Sequence, residues 1–276
     1  MVRMTPRSWK SVAILFGIII VALILYDGAD RRAADATKPL ARGPASLPGK
    51  RPPVTLKIAS FNIHSGKGRD GVTALSRTLA LMDDRDFIGI YEVRATPFAD
   101  MPNQAAVLGT SLQSYWLFAP TERHWWHEHF GNGIVHRYGI PEVVRIPLDN
   151  TRGKAFRNAI LSTVELQEGR VRVISTHIDR TTDREHQLKT VIGLFLALQP
   201  PCVLMGDLNT VASDPQLETL RKVEGVISPL HDQTLDGVPA SNIDWIFTRG
   251  LQTISAELIE NDASEHPVLK AELALP

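Results

Sequence analysis

Polar side chains that could do chemistry follow apolar, strand-like segments at six places in this sequence of 276 residues. Each is a carboxylate, an amide or an imidazole, and such groups are costly to bury without partners. One acidic residue after a strand is usually a turn or a helix cap, but six positions of these types are better explained by a shared polar cleft. These positions are Asn62, Glu92, His177 with Asp179, Asp207 with Asn209, Asp244, and Glu265 with His266.

This set of side chains suits the hydrolysis of an anionic ester. Carboxylate oxygens can hold a hard cation that neutralises charge on a phosphoryl group. Another carboxylate can orient the attacking water, while histidines and amides stabilise the transition state. Because oxygen ligands dominate, Mg²⁺ or Mn²⁺ is favoured over zinc.

The elements that must position these groups alternate between strand and helix from residue 54 onward. Apolar residues at helical spacing predict helices over Val72–Met82 and Thr182–Leu198, and Asp214 followed by Pro215 predicts the start of a third. Strands outnumber helices, and a hairpin signal at 167–169 argues against a purely parallel sheet. The predicted strands are Leu56–His64, Phe87–Val93, Tyr115–Pro120, Gly133–His136, Phe156–Leu166, Arg170–Ile178, Val203–Met205, Asn242–Thr248, Leu251–Leu258 and Val268–Leu273.

Seven short motifs occur along this body in the order FNIHSG, YEV, GNGIV, STHID, MGDLN, NIDWIF and SEHPV. In this order they resemble the motif set of the endonuclease/exonuclease/phosphatase superfamily, which includes pancreatic-type deoxyribonucleases, apurinic endonucleases, neutral sphingomyelinases and inositol-phosphate phosphatases. The resemblance runs from about Leu56 to Leu273. It implies an α/β (α+β) fold, a four-layer α/β/β/α sandwich of two mixed β-sheets. It also implies a divalent-metal-dependent phosphoester hydrolase, whether nuclease, phosphodiesterase or phosphatase.

The resemblance further implies which residues hold the metal and contact the phosphate. Glu92 matches the family's metal-binding glutamate, and Asn62 matches the amide that assists at the same ion. Arg157 falls where some members place a phosphate-contacting arginine. The chain departs from the family pattern at Tyr91, which replaces a glutamine, and at Glu265, which replaces an aspartate. Glu265 keeps the charge but adds a methylene, which could move a metal-contacting oxygen by ~1 Å.

The catalytic roles that the resemblance implies fall on five more residues. Asp207 matches the acid that orients or deprotonates the attacking water, and Asn209 matches an amide that contacts the phosphate. Asp244 matches the acid that pairs with the terminal histidine, which is His266. His177 matches the second histidine of the deoxyribonuclease-like members.

The N-terminal part of the chain predicts a membrane anchor. Residues Ser11–Tyr26 carry no charge, and a helix of that length spans ~24 Å, slightly short of the ~30 Å hydrocarbon core. The basic residues within 1–10 keep that end in the cytoplasm and place the body outside it. A cleaved signal sequence is the rival interpretation, although Ala34–Ala36 is a poorly placed cleavage site. Residues 27–53 are expected to be a flexible linker before a catalytic domain over 54–276.

Charge and composition leave the substrate open. Residues 1–52 carry a net charge of +6 and residues 53–276 a net charge of −6, so the acidic body disfavours a tight, sequence-independent nucleic-acid binder. Nucleic acid, a phospholipid head group and a small phosphoester all remain candidates. The single cysteine, Cys202, excludes an intrachain disulfide, and no obligate protein partner is predicted. An alternative, prompted by Tyr91 and Glu265, is a membrane-anchored binding protein with the same fold and little turnover.

The stretch from His124 to Phe130, HWWHEHF, invites a zinc interpretation. No cysteine or matching partner follows these histidines in the sequence, so we predict no structural metal here. Trp125 and Trp126 could pack into the core or form an exposed lip that touches a base or a lipid.

Overall fold

Most strands of the structure bury apolar side chains, some on one face of the strand and some on both faces. A computed structural model describes residues 6–29, 31–47, 51–95, 102–124, 127–139, 142–150, 155–233 and 238–276. The helices are α1 Pro6–Ala29, α2 Leu75–Ala80, α3 Gln104–Ser111, α4 Arg184–Ala197, α5 Pro215–Arg221 and α6 Pro229–Gln233, with a 3-10 turn at His64–Gly66. The strands are β1 Arg32–Ala33, β2 Ala41–Gly43, β3 Leu56–Asn62, β4 Phe87–Arg94, β5 Tyr115–His124, β6 His127–His136, β7 Val143–Leu148, β8 Arg157–Leu166, β9 Gly169–His177, β10 Cys202–Asp207, β11 Val226–Ile227, β12 Asp244–Arg249, β13 Gln252–Ile259 and β14 Val268–Ala274.

These strands form two mixed sheets. The first sheet has the order β1-β5-β6-β4-β3-β14-β13, with β2 also paired to β5, and its β3–β4 pair is parallel. The second sheet has the order β11-β12-β10-β9-β8-β7, and its β9–β10 pair is parallel. The remaining pairs in both sheets are antiparallel, so the predicted mixture of strand directions is confirmed.

Three apolar clusters define the layers. The central cluster joins side chains of the two sheets, such as Ile58 and Phe87 from the first with Val173 and Met205 from the second. A second cluster packs α4 and α5 against the outer face of the second sheet, and a third packs α2 and α3 against the outer face of the first. Helix, sheet, sheet and helix therefore succeed one another, as the resemblance implied.

The N-terminal residues form helix α1, and its large apolar side chains from Trp9 to Tyr26 are exposed. Across the part of the chain that the structure describes, no helix has the combined length and apolar character of a membrane span. The anchor expected over 11–26 stays a prediction.

Residues 31–47 differ from the expected flexible linker because they contain β1 and β2. Strand β1 pairs with β5 through Arg32 opposite Arg123 and Ala33 opposite Glu122. Strand β2 pairs with β5 further along, where Ala41 lies opposite Phe118. The open backbone groups of β5 provide partners for these short segments, whose own sequences carry no strand pattern.

Two elements of the first sheet's side differ from the sequence prediction. The predicted strands Tyr115–Pro120 and Gly133–His136 are both longer, since β5 continues to His124 and β6 begins at His127. Helix α3, capped by the Asn103 side chain, had no sequence prediction. Trp125 and Trp126, for which core and lip were both considered, lie outside the described residues.

Candidate active site

The predicted polar residues meet where strands of both sheets end. In the first sheet, Asn62 at the end of β3 lies beside Tyr91 of β4. In the second sheet, Asp207 at the end of β10 lies between His177 of β9 and Asp244 of β12. The strand register thus places groups that are far apart in sequence at one end of the sandwich.

Asn62 connects the polar groups of the two sheets. Its Nδ2 donates to Asp207 Oδ2 at 3.0 Å and to Glu92 Oε1 at 3.3 Å, and it lies 3.4 Å from His266 Nε2. Its Oδ1 accepts from the backbone N–H of His64 at 3.0 Å, which fixes the amide orientation. One buried amide therefore contacts two carboxylates and an imidazole.

Glu92 is aimed into the cleft by a local irregularity of β4. The register between β4 and β6 shifts between Ile90 and Val93, and Glu92 has a φ of 58°, in the left-handed region that non-glycine residues seldom adopt. Its carbonyl oxygen accepts from Ser65 Oγ at 3.1 Å, which helps to hold this conformation. Such strain at a carboxylate is typical of a functional position.

Asp244 and His266 form a hydrogen-bonded pair, as the resemblance implied. The distance between Asp244 Oδ2 and His266 Nδ1 is 2.8 Å, and His266 Nε2 points back toward Asp207 Oδ2 at 3.8 Å. Ser264 anchors the loop that carries this histidine, because its Oγ donates to the carbonyl of Asn62 and accepts from the N–H of His266.

Asp207 is held on both oxygens. Its Oδ1 accepts from the N–H of Asn209 at 2.9 Å, and its Oδ2 lies 3.4 Å from His177 Nε2 in addition to its bond from Asn62. Strand β10 needs a glycine before the aspartate, because a Cβ on Gly206 would lie 1.9 Å from the carbonyl oxygen of Thr176 on β9. Asn209 donates from Nδ2 to the carbonyl of Ile178, so its side chain in this structure braces the turn.

Burial and neighbouring charges raise the pKa of Asp207 and of His266 and lower the pKa of His177. Burial and the nearby charge of Asp244 raise the pKa of Asp207 to about 7. Burial opposes the charge on His266, but the hydrogen bond and charge of Asp244, together with Asp207, raise its pKa to about 9. Burial, with Arg157 and His266 nearby, lowers the pKa of His177 well below its usual range, so His177 is neutral. The cleft therefore combines a carboxylate that titrates near neutrality with a charged imidazole.

Arg157 lies within the electrostatic reach of Glu92, Asp207 and Glu122, and burial lowers its pKa while these carboxylates oppose the change. Its Nε is buried and has no hydrogen-bonding partner among the described residues. A partly buried cation with an unused donor is suited to contact an anion. The sequence-predicted location of Arg157 near the site is thus consistent with its proposed contact to phosphate.

Two asparagines beside Arg157 were not singled out from the sequence. Asn132 Nδ2 donates to Asn158 Oδ1 at 3.0 Å, and Asn158 Nδ2 donates to the carbonyls of Ala119 and Pro120. Both asparagines are buried, and together they join β6 and β5 of the first sheet to β8 of the second. The motifs GNGIV and RNAIL contain them, but only their pairing shows that they position the strand start that carries Arg157.

The two departures from the family pattern lie in different surroundings. Tyr91 is buried between the sheets, where its hydroxyl lies 3.2 Å from Ser60 Oγ and 3.1 Å from Ser175 Oγ. It therefore packs beneath the cleft and leaves Glu92 in contact with Asn62. Glu265 is exposed, and within the described ranges it has no hydrogen bond or ion pair to the cleft, so its metal contact stays a prediction.

The donors of the cleft fit a divalent metal. The cleft contains three carboxyl groups and two cationic side chains, so acidic groups are in excess. The carboxyl groups belong to Glu92, Asp207 and Asp244, and the cations are His266 and Arg157. Asp244 Oδ1 is buried without a hydrogen-bonding partner in the described part of the chain, and Asp207, Asp244 and His266 offer ligand atoms within 4.8 Å of one another. A hard cation would offset this charge, and oxygen donors favour Mg²⁺ or Mn²⁺. Glu92 remains the predicted main ligand, with Asn62 assisting at the same ion.

Two facing mixed sheets with an acid–histidine pair and an amide-bridged carboxylate cluster at their strand ends define a phosphoester-hydrolase fold. The sequence matches the Endonuclease/Exonuclease/phosphatase family over residues 59–266. The chain belongs to this family, whose members are generally divalent-metal-dependent phosphoester hydrolases. No curated protein sequence matches the chain.

Several solved structures share the fold. An endonuclease/exonuclease/phosphatase from Beutenbergia cavernae is 21% identical with a TM-score of 0.64, covering 80% of this chain and 72% of that chain. The catalytic domain of human Nocturnin, with a bound sulfate anion, is 16% identical with a TM-score of 0.61, covering 87% of this chain and 100% of that one. A humanized D. rerio TDP2 is 19% identical with a TM-score of 0.57, covering 80% and 99%. At these identities the likeness establishes the fold.

Proposed function

We propose that this chain hydrolyses phosphoesters with the help of Mg²⁺ or Mn²⁺. One observation carries the proposal: the Asn62 amide nitrogen lies within 3.4 Å of Glu92, Asp207 and His266. A metal-binding acid, a general base and a cationic imidazole are thereby held around one point. A protein that only bound its ligand would have no need to hold a titrating carboxylate beside a charged imidazole.

The residues divide the work as follows. Asp207, with a pKa near neutrality, orients the attacking water and accepts its proton. His266, held charged by Asp244, offers its Nε2–H to the phosphoryl oxygens as negative charge develops there. Arg157 supplies a fixed positive charge to the same oxygens. A divalent ion held by Glu92 and Asn62 would neutralise charge on the phosphoryl group.

The substrate is a phosphoester of modest charge, and we favour a phospholipid head group or a small phosphoester over nucleic acid. Residues 53–276 carry a net charge of −6, which opposes a long polyanion. Membership of a family that includes nucleases favours the opposite choice. The sulfate bound to the Nocturnin catalytic domain is a tetrahedral oxyanion like a phosphate, and it fits all three substrate classes.

The proposal includes a membrane anchor in α1, with the catalytic body outside the cytoplasm. It rests on the uncharged run 11–26, the basic flank before it and the exposed apolar side chains of α1. A reporter that works only in the exported compartment should be active when it is fused after Pro276. Activity of a reporter that works only in the cytoplasm would overturn this orientation.

A substrate screen tests the enzymatic proposal. The full chain in detergent would be offered plasmid DNA, an aryl phosphodiester, sphingomyelin and inositol phosphates, each with Mg²⁺, Mn²⁺ or EDTA. We expect metal-dependent turnover of at least one substrate, absent from a matched Asp207→Asn preparation. Metal-dependent binding without turnover across the panel would favour the binding-protein alternative. Turnover that is unchanged in EDTA would refute the metal mechanism.

A further inference from the structure

We propose that Glu122, His124 and His129 form a second metal site, specific for a Zn²⁺-like cation, at the rim of the cleft. Each of these side chains offers one ligand atom, and the three atoms lie within 4.8 Å of one another. The sequence predicts no zinc here because it shows no partner for the histidines. The structure supplies that partner in Glu122.

The β5–β6 hairpin explains why these three residues meet. Glu122 and His124 are two positions apart on β5. The pairing of β5 with β6 shifts just after Glu122, which lies opposite Phe130, and this irregularity places His129 of β6 beside Glu122. The rings of His124 and His129 have centroids 4.6 Å apart and meet nearly at right angles.

The donor types distinguish this site from the oxygen-rich cleft. Two imidazoles and one carboxylate suit zinc and similar transition metals, whereas Mg²⁺ prefers oxygen alone. Glu122 is 5% exposed, so a cation would bind to a largely desolvated carboxylate. Three protein ligands leave a coordination position of zinc open for water or for an anionic oxygen of a ligand.

Two arginines now occupy the places where a cation would bind. Arg31 Nη1 lies 3.5 Å from Glu122 Oε2, and Arg94 Nη1 lies 2.5 Å from His129 Nε2. Because a guanidinium has no acceptor, His129 Nε2 must present a lone pair to Arg94, the same state that a metal requires. Both arginine side chains are exposed, so each can move aside into solvent when the ion binds.

The proposed site is connected to the catalytic cleft. Arg94 donates from Nε to Ser65 Oγ at 3.1 Å, and that hydroxyl donates to the carbonyl oxygen of Glu92. Glu122 also lies within the electrostatic reach of Arg157. An ion that displaced Arg94 would therefore break a contact that leads through Ser65 to Glu92.

Metal analysis of the full-length protein tests the proposal without relying on hydrolysis. The protein would be dialysed against Zn²⁺ with excess Mg²⁺ present to occupy the oxygen-rich cleft. We expect about one equivalent of bound zinc, and Co²⁺ in its place should give the strong visible absorption of a four-coordinate nitrogen and oxygen site. His124→Ala or His129→Ala should weaken zinc binding by more than the roughly 100-fold that follows loss of a ligand's own hydrogen-bonding partner.

Controls separate this site from the cleft and from surface histidines. His186→Ala removes an exposed histidine that also has a carboxylate partner, Asp149, and should leave zinc binding unchanged. Glu92→Gln should also leave it unchanged. Absence of zinc from the wild-type protein, or zinc that survives His124→Ala and His129→Ala, would overturn the proposal. Glu122→Gln, which keeps the side-chain shape, provides the same test should a histidine variant fail to fold.

Discussion

Replacing Asp244 by asparagine should change the charge of His266 while keeping the shape of the pair. A pKa of about 9 leaves about nine-tenths of the His266 side chains charged at pH 8. Without the negative charge of Asp244, we expect the pKa to return toward the ordinary value of about 6.5, which leaves about 3% charged at pH 8. The charge effect alone therefore predicts a roughly 30-fold loss of kcat/KM at pH 8.

The same reasoning predicts that the loss shrinks as the pH is lowered. At pH 6.5 about half of the variant's His266 side chains would be charged. Removing Asp244 also removes a repulsion that raises the pKa of Asp207, so the base stays ionised at lower pH. The assay is kcat/KM from pH 6 to 9 for Asp244→Asn beside the wild type, with the His266 pKa measured by NMR.

The pairing would be refuted by two results. One is a loss for Asp244→Asn that does not vary with pH while the NMR pKa of His266 stays near 9. The other concerns additivity: because the side chains are 2.8 Å apart, Asp244→Asn combined with His266→Ala should be little worse than the worse single variant. Losses that multiply as independent factors would show that the two residues act separately.

Three further predictions concern the base, the metal and a buried histidine. Asp207→Asn should lower kcat by at least ~10² with an unchanged circular dichroism spectrum, and a loss below tenfold would contradict its role as base. Glu92→Gln should raise the Mg²⁺ or Mn²⁺ concentration needed for half-maximal activity, and EDTA should abolish turnover; an unchanged metal requirement would exclude Glu92 as a ligand. Burial lowers the pKa of His136 to about 4, so its contribution to stability is complete above about pH 6.5 and is lost as the pH falls through 4. His136→Asn, which keeps a donor for the Gly139 carbonyl, should reduce the fall in unfolding free energy between pH 7.5 and 4.5 by on the order of 2 kcal/mol in urea titrations, whereas the exposed control His186→Asn should not.

The strand ends of the site were predictable because their signal is local. Each of these polar residues lies at or next to one end of an apolar strand, and the structure brings Asn62, Asp207, Asp244 and His266 together from those positions. The length of the β5–β6 hairpin was not predictable in this way. Its residues before Gly133 are charged and aromatic without an apolar alternation, since this part of the hairpin extends beyond the core toward the rim of the cleft.

Contacts between sequence-distant residues account for the other differences. Glu122 is a candidate metal ligand only because His129 lies beside it on the neighbouring strand. Asn158 helps to join the sheets only because Asn132 of the facing sheet donates to it. Strand β1 has two residues, too few for any alternation, and it exists because β5 offers an open edge. Such features depend on which partner the fold delivers, and a single sequence does not carry that information.

The pairing of β1 with β5 limits the distance between helix α1 and the first sheet. Helix α1 ends at Ala29 and β1 begins at Arg32, so three Cα–Cα steps, about 11 Å when fully extended, separate them. β1 lies opposite Glu122 of β5, and one strand, β6, separates β5 from β4, which carries Glu92. With α1 in a membrane, as proposed, this short connection holds the β1–β5 edge of the first sheet close to the lipid surface. Residues inserted between Ala29 and Arg32 would let the body lie further from the lipid surface. The relative rates of hydrolysis of membrane-bound and freely diffusing phosphoesters would then change with the length of the insert.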